Sequence, residues 1–273
     1  MAAEPFTSST ISLGGLSIHF TDWGDVSSPP LVLLHGLSGH ARTWDHNAAV
    51  LSERYRVLAL DQRGHGDSGW AGDYGSSAMA GDLLAFLDVL RLDVITLVGL
   101  SMGGIVSFVF AAQHPERVRR LAVLDIGPEI AAAGATNVAT TMAAQNTFSS
   151  EDEAFALARA ANPRPTDAAI RHRLAHNLRP LPDGTLTYKY DTALRIPRAI
   201  FDHTSAELWN CWRAVSCPVL LIRGDDSDIL AEETAERMIA ENANASLVTI
   251  PDCGHSITLE RPEALQKVLD GWL

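Results

Sequence analysis

The chain has 273 residues, of which 47% are hydrophobic and 20% are charged, a composition typical of a soluble globular protein with a large core. Its formal net charge of −12 argues against a nucleic-acid-binding surface and against attraction to anionic lipid. No apolar run approaches the ~18 residues needed to cross a bilayer, and the first residues lack the features of a signal peptide. Three cysteines without a paired spacing fit a reducing compartment. We therefore expect a cytoplasmic protein with no membrane or nucleic-acid partner, acting as a monomer or a homodimer.

The strand signals begin with a hairpin, because Ser9–Leu13 and Leu16–Thr21 flank a Gly14-Gly15 dipeptide that suits a tight turn. Continuous runs of Val, Leu and Ile follow, without the alternation of a half-exposed strand. Such runs are typical of parallel strands that are covered on both faces. They are Leu31–Leu34, Arg56–Leu60, Val94–Val98, Leu121–Leu124, Val219–Ile222 and Leu247–Ile250.

Helical patterns lie between most of these strands, at Ala41–Ser52, Ser77–Leu90, Gly104–Gln113, Glu232–Glu241 and Pro262–Leu273. Strands that alternate with helices after an opening hairpin predict an α/β fold with a doubly wound, mostly parallel sheet and an antiparallel edge. Ligands of such sheets bind beyond the carboxyl ends of the strands.

One long segment interrupts the alternation. From about Pro128 to Ala214 there is no convincing buried strand, and helical stretches are separated by prolines. The segment is too long for a simple connection. We therefore predict a core formed by residues 1–127 and 215–273, and a helical lid formed by residues 128–214.

The lid segment carries basic residues and aromatic residues with two possible roles. The basic residues either clamp a substrate carboxylate or form salt bridges on the lid surface. The aromatic residues Phe201, Trp209 and Trp212 either line an apolar pocket or seal the lid to the core. The basic set consists of Arg164, Arg171, His172, Arg173, His176, Arg179, Arg195 and Arg198.

The stretch Gly99-Leu100-Ser101-Met102-Gly103 joins a predicted strand directly to a predicted helix. The pattern G-x-S-x-G in this context predicts a nucleophile elbow, in which the glycines permit a sharp turn and the serine side chain projects from it. A serine hydroxyl is a poor nucleophile without a base. We therefore interpret Ser101 as a nucleophile and look for its partners.

Two further stretches supply candidate partners. His35-Gly36-Leu37 follows a strand, and its loop can direct the Leu37 N–H toward the same point as the Met102 N–H, which gives two donors for an oxyanion. His35 is interpreted as a residue that braces this loop. His255 lies just past the last strand, where it fits the chain order of serine, acid and histidine found in one class of hydrolases.

Taken together, these motifs resemble the α/β-hydrolase fold superfamily. The matching stretches are "LVLLHGLSG", "LALDQRGHGDS", "VGLSMGG", "HPERVRRLAVLDIGP", "PVLLIRGDDSD" and "PDCGHSITLERPE", in family order. The resemblance implies an α/β-hydrolase fold with eight strands, a lid after strand six, and a Ser-acid-His triad that needs no cofactor. It also assigns Asp61 and His65 to the loop after strand four, where we interpret both as structural.

The acid of the triad has two candidates. Most relatives carry it three residues after the glycine that ends strand seven, but here that position is Ser227, and the neighbouring Asp228 is one alternative. The other is Asp125, at the end of a buried apolar run next to the strand of the serine, where a carboxylate requires a partner. We favour Asp125, because it can orient His255 and stabilise its imidazolium form.

These features predict a cofactor-independent serine hydrolase that cleaves a small carboxylic ester, a lactone or a related acyl compound. The predicted catalytic residues are Ser101, Asp125 and His255, the predicted oxyanion donors are the N–H groups of Leu37 and Met102, and we expect no metal. One alternative is a C–C bond or amide hydrolase of a carboxylate-bearing catabolic intermediate. An alternative of another class is a non-catalytic receptor for a small ligand on the same scaffold.

Overall fold

The computed structural model describes residues 5–196 and 202–273. Its strands are β1 (Phe6–Leu13), β2 (Leu16–Trp23), β3 (Pro30–Leu34), β4 (Arg56–Leu60), β5 (Ile95–Leu100), β6 (Val118–Leu124), β7 (Thr147–Phe148), β8 (Leu178–Pro180), β9 (Leu186–Tyr188), β10 (Val219–Gly224) and β11 (Ala245–Ile250). Its helices are α1 (Asp45–Leu51), α2 (Ser76–Leu90), α3 (Met102–Gln113), α4 (Ala132–Ala143), α5 (Glu151–Ala161), α6 (Asp167–Asn177), α7 (Ser205–Ala214), α8 (Glu232–Glu241), α9 (Ile257–Glu260) and α10 (Pro262–Trp272). Short 3₁₀ helices lie at Ala41–Trp44, Pro115–Arg117 and Thr192–Arg195.

The main sheet has eight strands in the order β1-β2-β4-β3-β5-β6-β10-β11. The pairs β1/β2 and β2/β4 are antiparallel, and the other neighbouring strands are parallel. Gly14 and Gly15 close the β1–β2 hairpin at φ +57° and +94°, angles that glycine adopts without a steric penalty. The predicted mostly parallel sheet with an antiparallel edge is therefore confirmed.

Helices cover both faces of this sheet. The side chains of α2, α3, α7 and α8 pack on one face, and those of α1, α9 and α10 pack on the other. The strands between them are buried on both sides, as Leu31 to Leu34 show with at most 1% exposure each. This explains why their sequences are continuous apolar runs. Among the described residues, no helix has the length and apolar character required to cross a membrane.

The segment 128–214 differs in detail from the helical lid that the sequence predicts. It contains α4 to α7, but it also contains a small antiparallel sheet in the order β7-β9-β8. Each of these strands has only two or three residues, and in them only Phe148 and Thr187 are buried. Strands this short leave no periodic pattern, so sequence analysis could not detect them. The division of the chain into core and lid stays a prediction.

Candidate active site

Ser101 lies at the turn between β5 and α3, in a backbone conformation that is costly for a residue with a side chain. Its φ and ψ angles are +54° and −120°. The flanking glycines explain how the turn is possible. A Cβ atom at Gly99 would lie 2.3 Å from the carbonyl oxygen of Gly103, and one at Gly103 would lie 2.5 Å from the carbonyl oxygen of Leu34. The missing side chain of Gly99 therefore lets β5 approach α3, and that of Gly103 lets α3 approach the end of β3.

His255 lies between Ser101 and Asp125. Its Nε2 atom is 2.9 Å from Ser101 Oγ, and its Nδ1 atom is 2.8 Å from Asp125 Oδ2. With the neutral tautomer in which Nδ1 carries the proton, the imidazole donates to the carboxylate and accepts from the serine hydroxyl. This is the arrangement of nucleophile, base and orienting acid that general-base activation of a serine requires.

The structure brings Asp125, and not Asp228, to this histidine. Asp125 directly follows β6, and its side chain is fully buried. Its Oδ1 atom also accepts a hydrogen bond from the N–H of Gly224 at 3.0 Å. Asp228 instead accepts a hydrogen bond from Asn137 at 2.7 Å. The geometry agrees with the sequence-based preference for Asp125, and the catalytic role of that residue stays a prediction.

Ser227, a residue to which sequence analysis assigned no role, contacts the same carboxylate. Its hydroxyl donates to Asp125 Oδ2 and accepts hydrogen bonds from the N–H groups of Ile229 and Leu230 at 3.1 and 3.2 Å. Ser227 thus fixes the second oxygen of Asp125 while two backbone groups fix its own oxygen. Its place in the sequence could have indicated this contact, since position 227 is where most relatives carry the acid of the triad.

Two acidic side chains hold the loop that carries His255. Asp225 accepts hydrogen bonds from the N–H groups of Asp252 and Cys253 at 3.0 and 2.9 Å. These bonds lower the pKa of the Asp225 carboxyl, and the bond from Cys253 contributes most. Glu260 is buried and accepts from the N–H of Gly254 at 2.6 Å. The loop is therefore fixed on both sides of the turn that presents the imidazole.

The predicted oxyanion donors lie on the loop after β3 and at the start of α3. A Cβ atom at Gly36 would lie 3.1 Å from Ser101 Cβ, so the Gly36-Leu37 backbone passes directly beside the serine. Within the described residues, neither Leu37 N–H nor Met102 N–H donates a hydrogen bond to the protein. Both groups are thus available to a ligand, and their role as an oxyanion hole stays a prediction.

His35 braces this loop from inside the protein, as its position suggested. Its Nδ1–H donates to the carbonyl oxygen of Gly36 at 2.8 Å, and its Nε2 accepts from the N–H of Gln62 at 3.0 Å. Burial lowers the pKa of His35, so the neutral tautomer that makes both bonds is favoured. His35 therefore supports the backbone beside the site, and the role of His255 as the base stays a prediction.

Asp61 and His65 are buried, and among the described residues neither makes a hydrogen bond to Ser101. Asp61 accepts hydrogen bonds from His19 Nδ1 at 2.7 Å and from the N–H groups of Ala41 and Asp67 at 2.5 and 2.9 Å. Burial alone would raise its pKa, but the hydrogen bonds from His19 and Asp67 and the electrostatic interactions with His35 and His19 outweigh burial and lower the pKa to about 2. For His65, burial lowers the pKa to about 3. The hydrogen bonds of Asp61 and the contact of His65 Nδ1 with the carbonyl oxygen of Arg63 at 3.0 Å agree with the structural interpretation of these residues.

Several basic residues of the lid segment form ion pairs or bind backbone carbonyls. Arg164 pairs with Asp226 at 2.8 Å, Arg171 pairs with Asp152 at 3.1 Å, and Arg195 donates to two carbonyl oxygens. No hydrogen bond or ion pair joins any of these three to Ser101 in the part of the chain that the structure describes. Their contacts fit the surface salt-bridge interpretation better than that of a carboxylate clamp.

The two tryptophans of the segment pack against the core. Trp212 is fully buried, donates to the carbonyl oxygen of Met238 at 2.8 Å, and meets the Phe108 ring edge to face. Trp209 is 3% exposed and donates to Glu129 at 2.7 Å. These contacts agree with a sealing role. Phe201 and Arg198 lie outside the described residues.

Two groups of histidine and aspartate side chains have ligand atoms close enough to hold a metal ion. One comprises His19, Asp61 and Asp67, and the other comprises Asp45, His172 and His176. Neither group includes a residue of the Ser101 site. No metal site was predicted from the sequence, although His172 and His176 are separated by the interval of one helical turn.

Several known proteins similar to this chain are named as hydrolases or esterases. The chain is 30% identical to a 3-hydroxybutyrate-oligomer hydrolase of Cupriavidus necator over 282 residues, covering 96% of both chains. It is 31% identical to the esterase Rv0045c of Mycobacterium tuberculosis over 261 residues, covering 92% of this chain and 84% of the relative. The crystal structure of E-2-(acetamidomethylene)succinate hydrolase superposes with a TM-score of 0.87 at 25% identity, covering 98% of both chains.

The sequence profile of the α/β hydrolase fold matches residues 29–262, which include β3, the nucleophile elbow, the segment 128–214 and the loop of His255. The match agrees with the order of the strands and with the relatives just described. The chain therefore belongs to the α/β-hydrolase fold family.

Proposed function

We propose that this protein is a cofactor-independent serine hydrolase that cleaves small carboxylic esters, lactones or related acyl compounds through an acyl-enzyme. The observation that carries the proposal is the unbroken hydrogen-bond chain from Ser101 Oγ through His255 to Asp125. All three side chains are presented where strands β5, β6 and β11 end, at the edge of the sheet where ligands of this fold class bind.

In the first half of the reaction, Ser101 Oγ attacks the carbonyl carbon of the ester while its proton moves to His255 Nε2. The imidazolium that forms keeps its Nδ1–H on the buried Asp125 carboxylate, which stabilises the new positive charge. The negative charge that develops on the carbonyl oxygen is stabilised by the N–H groups of Leu37 and Met102, and each such donor contributes ~3–4 kcal/mol. Collapse of the intermediate breaks the ester C–O bond, and the leaving alcohol takes the proton from His255.

In the second half, water attacks the acyl group on Ser101 and gives its proton to His255 Nε2. The same donors stabilise the second tetrahedral intermediate. When this intermediate collapses, the proton returns from His255 to Ser101 Oγ, and the carboxylic acid leaves. Because every proton moves between Ser101, His255, water and the leaving group, this sequence requires no additional acid or base.

The relatives suggest which esters to test first. The Cupriavidus necator protein is named for 3-hydroxybutyrate oligomers, which are short linear hydroxyacyl esters, and the Mycobacterium tuberculosis protein is named an esterase. We therefore propose short hydroxyacyl and alkanoyl esters as the substrate class. A second candidate is an amide that bears carboxylates, and its support is the similarity to E-2-(acetamidomethylene)succinate hydrolase.

The test uses purified enzyme with a panel of p-nitrophenyl esters, 3-hydroxybutyrate dimers, lactones and carboxylated amides. Ser101→Ala is expected to lose about 10³-fold or more in kcat while its circular dichroism spectrum is unchanged. The exposed Ser77 contacts Asp202 and not the Ser101 site, so Ser77→Ala is the matched control and should keep wild-type turnover. A fluorophosphonate probe should label wild type and Ser77→Ala but not Ser101→Ala. An unlabelled wild-type protein without turnover would instead support the receptor alternative.

A further inference from the structure

Asp45, His172 and His176 meet where the lid segment contacts the core. The two histidines lie one turn apart on α6, and Asp45 is the first residue of α1. One ligand atom from each of the three residues lies within 4.8 Å of the other two. His172 Nε2 is 3.1 Å from Asp45 Oδ2, and the centroids of the two imidazole rings are 4.7 Å apart.

An ion pair between His172 and Asp45 explains only part of this cluster. The ion pair uses Asp45 Oδ2, which also accepts from Arg42 Nε at 2.6 Å. The other oxygen, Asp45 Oδ1, is buried and has no hydrogen-bond partner among the described residues. No hydrogen bond to the His176 side chain occurs in the described part of the chain either. A buried carboxylate oxygen without a partner is costly, so the packing of this carboxylate beside two histidines requires an explanation.

We propose that Asp45, His172 and His176 form a binding site for a divalent transition-metal ion that connects α6 of the lid segment to α1 of the core. Two imidazoles and one carboxylate favour Zn²⁺, Cu²⁺ or Ni²⁺ over Mg²⁺ and Ca²⁺, which prefer oxygen ligands alone. Tetrahedral ligands at a metal–ligand distance of about 2.0–2.2 Å lie about 3.4 Å apart. His172 Nε2 and Asp45 Oδ2 already have nearly this spacing at 3.1 Å, and the ligand atoms of all three residues lie within 4.8 Å of one another.

The surroundings of the cluster suit such a site. The hydrogen bond from Arg42 orients the Asp45 carboxylate from outside, as outer-shell partners of metal ligands commonly do. His176 also borders a polar cavity that is lined by His19, Asp67 and Lys189. Water in this cavity can occupy the coordination positions that the protein leaves open.

Binding should reduce the local opening of α6, because a metal ion that binds only the closed arrangement stabilises it by mass action. Amide hydrogen exchange in α6 is therefore expected to slow when metal is added. This readout is independent of the chemistry at Ser101, so the proposed metal site and the proposed hydrolase activity can fail separately.

The experiment is calorimetric titration of tag-free, chelator-treated full-length protein with ZnCl₂, and with MgCl₂ in parallel. We expect one equivalent of Zn²⁺ to bind to wild type and no Mg²⁺ binding. Both His172→Gln and His176→Gln should weaken Zn²⁺ binding by at least about tenfold. The matched control is His46→Gln, which replaces the exposed histidine next to Asp45 and should bind Zn²⁺ like wild type. Hydrogen exchange in residues 167–177 should slow with Zn²⁺ in wild type and in the control only.

Three results would overturn the proposal. The first is that wild type binds no Zn²⁺, and the second is that His176→Gln binds Zn²⁺ as tightly as wild type. The third is that all variants bind Zn²⁺ equally, which would assign the ion to other histidines. Thermal melts without metal verify that each variant is folded. If His172→Gln unfolds because it loses its contact with Asp45, His176→Gln decides the question alone, since its side chain makes no hydrogen bond among the described residues.

Discussion

Replacing Asp125 by asparagine tests which acid orients His255. The substitution keeps the shape and nearly the volume of the side chain, and the amide oxygen can still accept from the N–H of Gly224. The amide nitrogen, however, is a donor and cannot accept from His255 Nδ1–H at the 2.8 Å contact. The imidazole is then driven to the tautomer that carries its proton on Nε2, where it cannot take the proton of Ser101.

The expected loss is large because the defect affects the base itself. The same substitution in a serine-protease triad lowers kcat by about 10⁴-fold, which corresponds to about 5.4 kcal/mol in the activation free energy. Ser227→Ala removes one donor from the Asp125 carboxylate but leaves those from His255 and Gly224. A hydrogen bond to a charged group contributes about 1.5–3 kcal/mol, so we expect a loss between about tenfold and 10²-fold.

The assay is the steady-state hydrolysis of p-nitrophenyl butyrate, with kcat and KM measured separately. Asp228→Asn is the matched control, since Asp228 accepts from Asn137 and makes no hydrogen bond to His255 among the described residues. Its kcat should remain within about threefold of wild type, as for a surface substitution away from the site. The double variant Asp125→Asn/Asp228→Asn should equal Asp125→Asn alone, because residues of one catalytic unit are not additive.

An exchange of side chains gives a second, independent arm. In Asp125→Ser/Ser227→Asp the carboxylate moves to the position that holds the acid in most relatives, and we expect it to recover part of the activity that Asp125→Ser loses. The reverse ranking of the two single asparagine variants would refute the reasoning. If Asp228→Asn is the crippled enzyme while Asp125→Asn stays within about tenfold of wild type, the assignment of the acid is wrong.

Two further predictions concern the surroundings of the site and the core. Gly36→Ala should lower kcat/KM by about 10²-fold with little change in melting temperature, because its methyl group would lie 3.1 Å from Ser101 Cβ. The control Gly81→Ala should not lower kcat/KM, because the space around Gly81 is open. Equal activity of the two variants would contradict the close approach. Burial lowers the pKa of His65 in the folded protein to about 3. Above about pH 6.5 this histidine is therefore neutral in both the folded and the unfolded chain. Below about pH 6.5 the unfolded chain binds a proton that the folded chain does not bind. Stability should therefore fall by about 2 kcal/mol per such histidine between about pH 7 and pH 5, and urea unfolding of His65→Asn should show a correspondingly smaller fall; an unchanged fall would contradict it.

The main sheet could be predicted from the sequence because burial on both faces leaves a direct record in the residues. Runs such as Leu31–Leu34 coincide with strands whose residues are almost entirely inaccessible. The ends of elements were less certain, because they depend on hydrogen bonds and not on burial. The turn at Ala41–Trp44, for example, is a 3₁₀ helix that precedes α1, although the sequence predicts one continuous helix there.

The candidate site could be predicted in part, and the reason lies in the distance between its components along the chain. Ser101 and its glycines form a local pattern whose meaning depends only on the adjoining strand and helix. The choice between Asp125 and Asp228, the contact of Ser227 with the acid and the contact of Asp45 with α6 depend on how distant loops meet, and a single sequence does not record this. His172 and His176 have helical spacing in the sequence, but they are two of many basic residues in the lid segment, so the spacing did not single them out.

The position of the acid follows from the pairing of two strands. Leu124 at the end of β6 is paired with Ile222 of β10, so Asp125, one residue further along, lies beside Gly224 and the loop that begins there. A carboxylate can therefore approach His255 from the end of either strand. In this chain the carboxylate follows β6, and the loop after β10 contributes the hydroxyl of Ser227 and the N–H of Gly224 instead. Both loops thus take part in holding the same imidazole, and this explains why the sequence alone offered two acids for one position.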